Sequence, residues 1–148
     1  MNKSISALLA RSLYGHISTI NQDGSPYTIG VNLIYHNGKF YFHCGLNGKK
    51  LDNIRRDNRV CINIDEMMEL KNKNIATPCG ASIMYESVVA SGRAFTVNEN
   101  KEKAEILRIF AHKFAPEVSG IPMPEESLNR TLVVEINVDD MTFKEHGK

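Results

Sequence analysis

Hydrophobic residues in this chain fall into two periods, and the switches between them mark out the elements. Between Ser4 and Leu13, Ile5, Leu8, Leu9 and Leu13 recur at three- and four-residue spacing, with serines available as caps, which predicts a short amphipathic helix. From Tyr14 to Ile20 the period drops to two and β-branched residues dominate, so a strand is expected. Gln22-Asp23-Gly24-Ser25 reads as a turn, because Asp-Gly tolerates the positive φ of a tight hairpin. Alternation resumes with Tyr27, Ile29, Val31, Leu33 and Tyr35 on one face of a second strand. His36-Asn37-Gly38-Lys39 turns the chain again, and Phe40 to Cys44 is a third strand.

Asn47 to Arg56 follows as a short helix with Leu51 and Ile54 as its buried pair. Arg59 to Asp65 returns as a strand carrying Val60, Ile62 and Ile64 on one face, and the polar stretch Glu66 to Cys79 predicts a loop. Ala81 to Val97 reads as one long strand, in which Gly92 signals a bulge or bend. Glu99 to Phe114 has helical spacing through Ala104, Leu107, Ala111 and Phe114, and Ala115-Pro116 ends it. After a loop through Pro116, Gly120, Pro122 and Pro124, the residues Leu132, Val134, Ile136 and Val138 alternate in a last strand. Six mostly hairpin-linked strands predict a mainly β, antiparallel barrel with short flanking helices, because closing the sheet removes exposed edges. Helices do not follow every strand, which disfavours a doubly wound parallel sheet.

Composition narrows the class. The 148 residues suit a single domain over 1–148, and 42% hydrophobic with 24% charged residues rules out wholesale disorder. No apolar run is long enough to span a bilayer, and Arg11 interrupts the N-terminal apolar stretch, so neither a membrane anchor nor a signal peptide is expected. Three cysteines, Cys44, Cys61 and Cys79, have no C-x-x-C spacing, which points to a reduced, cytoplasmic protein without a zinc ribbon. A net charge of +1 gives no global field for nucleic acid or membrane.

The charge is uneven, however. Between His43 and Arg59, Lys49, Lys50, Arg55, Arg56 and Arg59 face only Asp52 and Asp57, a local excess of +3. Gly48-Lys49-Lys50 falls where a strand end passes into a helix start, a place that offers backbone N–H groups and two ammonium groups to a phosphate. A solvated basic helix is the bland alternative. Neither a G-x-x-x-x-G-K-[ST] loop nor a G-x-G-x-x-G fingerprint is present.

Tyr41-Phe42-His43-Cys44-Gly45-Leu46-Asn47-Gly48-Lys49-Lys50-Leu51, with Asn58-Arg59-Val60 after it, resembles the strand–loop–helix signature of the FMN-binding split-barrel, or pyridoxamine 5′-phosphate oxidase-like, superfamily. The likeness extends in order through Asp23 to Tyr27, Tyr85 to Ala94, Val134 to Ile136 and Asp140 to Glu145, and is nearest the branch named for nitroimidazole resistance. It implies a six-stranded split barrel, a homodimer with flavin at its interface, and FMN as cofactor. By position, Lys49 and Lys50 would grip the FMN phosphate beside Gly48, with His43 and Cys44 lining the ribityl chain and phosphate. Ile29, Gly30, Val31 and Asn32 would bind the polar edge of the isoalloxazine through backbone groups, and Ser87 would approach the flavin from a neighbouring strand.

Departures from that pattern matter too. True pyridoxamine phosphate oxidases hold the vitamin with a C-terminal segment rich in Trp and Arg; this sequence has no Trp, so vitamin oxidation is not expected. Cys44 replaces a hydroxyl residue and is a poor hydrogen-bond donor, while Lys49 replaces Arg and loses the bidentate fork. Among single residues, His43 is the candidate catalytic group, set against packing at a strand end. His16, His36, His112 and His146 default to structural or solvent roles, and no histidine pair has metal-ligand spacing. Cys44 adjoins His43, but successive strand residues face opposite sides. The carboxylates are scattered, so hydrolase chemistry has no support. The resulting expectation is a flavoprotein passing electrons from NADH or NADPH to a small acceptor, nitroaromatic compounds included. A non-catalytic flavin- or haem-binding protein of the same barrel is the alternative.

Overall fold

The computed structural model describes residues 3–71 and 73–147. In chain order they form α1 (Lys3–Arg11), β1 (Gly15–Ile20), β2 (Pro26–Val31), β3 (Ile34–His36), β4 (Lys39–Cys44), α2 (Lys49–Arg56), β5 (Arg59–Lys71), β6 (Ser82–Val97), α3 (Asn100–Phe114), α4 (Glu125–Asn129) and β7 (Leu132–His146). Single 3-10 turns lie at Pro78–Gly80 and Pro116–Val118. The strands make one antiparallel sheet in the order β2-β1-β5-β6-β7-β4-β3. The sheet curls, because inward residues from both of its halves, such as Ile17, Ile62, Val88, Val134 and Phe42, meet in one buried cluster. Its edge strands β2 and β3 are not paired with each other, so the barrel stays split.

Two features differ from the sequence expectation, and a third makes it more specific. The strand expected over Tyr27 to Tyr35 is two strands, because pairing passes from β1 to β4 at Asn32-Leu33; this makes seven strands rather than six. β5 continues to Lys71 and β7 to His146, beyond their expected ends at Asp65 and Val138. Both extensions ladder onto β6, aligning Glu66, Glu86 and Glu145 across three strands, and pairing along β6 overrides their polar composition. The bulge or bend expected at Gly92 is a bulge, with its extra residue on the partner strand: Ser91 pairs with Asp140 and Gly92 with Val138, leaving Asp139 unopposed.

Helices finish the core. α1 adds Leu8 and Leu9 near the Gly15 end of β1, where Arg11 pairs with Glu66 and with the buried Glu86. α2 adds Leu51 and Ile54 at the opposite end, beside Thr19 and Asn21. Burying each such side chain is worth about 1.5–3 kcal/mol. α3 packs outside β4 and β7, where Ile106 and Phe110 join Tyr41, Val97 and Val133 in a second cluster. Under it the Tyr41 hydroxyl donates to Glu135, 3.2 Å away, and burial together with that carboxylate pushes its pKa up to about 12.

A Cβ at Gly92 would collide with the carbonyl of Asn137. Gly92→Ala is therefore expected to destabilise the fold by about 2 kcal/mol, read as a lowered urea midpoint. Gly120→Ala, where an added Cβ meets nothing within 4 Å, is the control; equal midpoints for the two variants would show that the bulge relaxes freely.

Candidate functional site

The split leaves a seam between β2 and the end of β4. β2 pairs only with β1, and β3 covers β4 only from Lys39 to Tyr41, so Phe42 to Cys44 have no neighbour on that side. Alternate residues of β2 turn their N–H and C=O groups towards the free edge. α2 sits beside this opening because Gly48, at φ 139°, redirects the chain straight after β4. That angle is one that side chains other than glycine's rarely adopt.

From this start the two lysines diverge, as successive helix residues do. The Lys49 ammonium lies 4.7 Å from the centre of the Tyr27 ring on β2. Lys50 lies on the side of Cys44: burial pushes the Cys44 thiol pKa up, while the charges of Lys50 and Arg55 pull against that rise. Arg55 donates to the Leu46 carbonyl at 3.1 Å and to Asp52 at 3.3 Å. Arg59 is taken up by Asp57, whose carboxyl its side-chain hydrogen bonds hold down to about 2.

Gly48, Lys49, Lys50 and Cys44 therefore gather at one end of the seam, with β2 along its other side. Ile29, Val31 and Cys44 pack their side chains against the barrel core, so at the free edge Ile29 and Val31 offer backbone. Gly30 faces outward, and the phenol of the exposed Tyr14 fills the space its side chain would take. Asn32 is exposed at the corner between β2 and β3. Ser87 stands on β6, three strands from β2, where its hydroxyl lies 3.2 Å from the Asn63 side-chain oxygen. It lines a hollow of about 280 Å³ with Asp65, Met67, Ile83 and Tyr85.

His43 points away from Cys44. Its ring meets Phe110 of α3 edge-on at 4.9 Å, and burial on that side holds its pKa below the usual histidine value. The alternation of side chains along β4 thus separates the two adjacent residues onto opposite faces. Among the described residues no group of three or more His, Cys, Asp or Glu could hold a metal ion. No described helix is long and apolar enough to cross a membrane.

Sequence reasoning passed over a buried polar network under α2. Asn53, only 3% exposed, donates to Thr19 Oγ1 and to Asn21 Oδ1, each at 3.0 Å. Arg56 donates to Asn53 Oδ1 at 3.2 Å and to the Ile20 carbonyl. Lys49, Asn53 and Arg56 stand at i, i+4 and i+7, one helix face; that spacing was the available signal.

A split barrel whose seam is flanked by a basic helix start defines the class of protein. The profile of the pyridoxamine 5′-phosphate oxidase family matches residues 2–145, and the chain belongs to that family. No curated protein matches the sequence. Among solved structures, a Bacteroides thetaiotaomicron protein named for 5-nitroimidazole antibiotic resistance is 22% identical with a TM-score of 0.83, covering 97% of this chain and 82% of its own. The flavocytochrome Anf3 of Azotobacter vinelandii is 17% identical at TM-score 0.86, covering 100% and 68%. A protein of Mycobacterium smegmatis that binds FAD and haem is 14% identical at TM-score 0.88, covering 99% and 72%. At these identities the likeness is one of fold.

The three thiols are free, Cys44 and Cys61 half-buried with pKa values raised by burial and Cys79 exposed. Because the thiolate is the nucleophile, iodoacetamide at pH 8 is expected to label Cys79 first, with Cys44 and Cys61 slower by about tenfold or more. Peptide mass spectrometry over time checks the order; labelling of Cys44 as fast as Cys79 would contradict the burial described.

Proposed function

We propose that this chain is an FMN-binding oxidoreductase acting in the cytoplasm as a homodimer, with electrons passing from NADH or NADPH to a small acceptor such as a nitroaromatic compound. The observation that carries the reading is the seam, where Gly48, Lys49 and Lys50 lie beside the free edge of β2. The family membership and the names of the structural relatives support a flavin.

The residues present suit the phosphate and ring system of that cofactor. Lys50 and Lys49 supply positive charge for the phosphate, and backbone groups of Ile29 to Asn32 supply donors and acceptors for the polar ring edge. When bound, the flavin supplies the redox chemistry by accepting hydride from the nicotinamide and passing electrons to the acceptor. The protein binds, orients and shields. The outer sheet face exposes Tyr14, Met67, Ile83 and Val89; we assign this apolar patch to the contact with a second copy.

A second reading, a flavin or haem carrier without turnover, draws on the two relatives named for a cytochrome or haem. The visible spectrum of the purified protein, with mass spectrometry of what denaturation releases, separates the two: released FMN reducible by a nicotinamide supports the enzyme, and a porphyrin spectrum the carrier. Lys50→Ala is expected to weaken FMN binding by about tenfold or more, the worth of one hydrogen bond to a charged group. His43→Ala is expected to leave FMN bound and to slow acceptor reduction; unchanged turnover would make His43 a packing partner of Phe110 alone.

A further inference from the structure

We propose that the hollow between α1, α3 and the free edge of β3 is a binding site for a small carboxylic acid with a compact apolar body. None of its lining residues belongs to the seam, so the proposal stands apart from the flavin reading.

α1 contributes Ser6, Leu9 and Ala10, which share one helix face at i, i+3 and i+4, and α3 contributes Ile109 and Lys113, one turn apart. Ile34 and Tyr35 of β3 complete the lining of a volume of about 260 Å³. That volume lies just under the range of drug-sized sites, roughly 300–1,000 Å³, so the ligand has to be small. Leu9, Ala10, Ile34 and Ile109 make the walls largely apolar, which calls for an apolar body.

Ile34 points into the cluster under α3, whereas Tyr35 packs against the barrel core. Neighbouring strand residues face opposite sides of a sheet, so a hollow that touches both lies across the edge of the strand. β3 pairs with β4 on one side and with no described strand on the other, so that edge is the open one. Asn37 and Gly38, at positive φ of 49° and 83°, form the two-residue turn from β3 to β4. In such a hairpin the flanking pair, His36 and Lys39, exchanges backbone hydrogen bonds, and the next pair, Tyr35 and Phe40, does not. The Tyr35 N–H therefore points out at the free edge, towards the hollow.

The second donor is the Lys113 ammonium. One of its three N–H groups donates to the Leu9 carbonyl in the last turn of α1, 3.1 Å away. Among the described residues it takes part in no ion pair. Burial pushes its pKa below the ordinary lysine value, with no carboxylate to offset the loss of water. A half-buried cation without a counter-charge, in an apolar hollow beside an outward N–H, suits an anion. A carboxylate brings two oxygens to these two donors. A phosphate would bring further oxygens and charge, which the apolar walls leave without partners.

An NMR titration of the isotope-labelled full chain with hexanoate, and with hexanamide as its neutral counterpart, tests this. Hexanoate is expected to move the Tyr35 amide signal saturably at millimolar concentration, and hexanamide to bind more weakly by about tenfold or more. Lys113→Met keeps an apolar stem without the charge. It is expected to weaken hexanoate by about tenfold or more, the worth of one hydrogen bond to a charged group, while hexanamide stays within about twofold. Ala10→Phe, at an exposed position, keeps the ammonium and fills the hollow, so it should remove binding of both probes; circular dichroism confirms that both variants fold. No saturable shift at Tyr35, or hexanoate binding unchanged by either substitution, would overturn the site and leave Lys113 a cap on α1 alone.

Discussion

The structure depends on one corner. At Asn32-Leu33 the chain leaves β1 as its partner and takes up β4, so a continuous run of alternating residues serves both edges of one sheet. Leu33 is 2% exposed in the barrel core and Ile34 is 2% exposed in the cluster under α3, so the corner is anchored on both sides of the sheet. Closing the barrel would require β2 and β3, which follow each other along one path, to lie side by side. They do not, and the edges stay apart. An open edge is a hazard unless something covers it. Here α2 sits beside the opening, and this places its basic start where backbone groups of β2 are unpaired.

How much of this was legible in the sequence follows from what period-two alternation can and cannot encode. It located β1, β4, β6 and the inward face of β2 because burial of one sheet face leaves a hydrophobic mark. It could not reveal a change of partner, since side chains alternate in the same way whichever strand lies alongside; hence one expected strand became two. Nor could it find the extension of β5 through Glu66 to Lys71. Most of those residues are exposed, and backbone bonds to β6 hold them where no apolar face marks the strand. The bulge opposite Gly92 was half visible. Glycine signalled a bulge or bend, but which strand held the extra residue was set by the partner.

The site was legible in kind rather than in arrangement. The cation excess around α2 could be counted in the sequence, and the turn at Gly48 could be anticipated. Which cations retain charge towards a ligand is a matter of local pairing. Arg59 is committed to Asp57, and Arg55 shares itself between Asp52 and the Leu46 carbonyl. Among the described residues, Lys49 and Lys50 take part in no ion pair. Asn53 escaped notice because an amide on an otherwise basic helix reads as a surface residue. Burial gave it its role, for an amide without partners there would cost about 1–3 kcal/mol, and Thr19, Asn21 and Arg56 satisfy it.

Near-neutrality of the whole chain bears on how such a site would select its ligand. With a net charge of +1 there is little long-range attraction for anions, and exposed charges are screened over about 8 Å at physiological salt. At a seam of this kind Lys49 and Lys50 would act on a ligand already seated, through contact, and discrimination would come from shape and hydrogen bonding. That accounts for the rigid features clustering here: a glycine-directed turn, a helix bound into the barrel by Leu51 and Ile54, and a buried amide fixing Arg56. A mobile basic loop would attract anions equally well in number and would orient none of them. In this fold the charge is carried on a helix that the core itself holds in place.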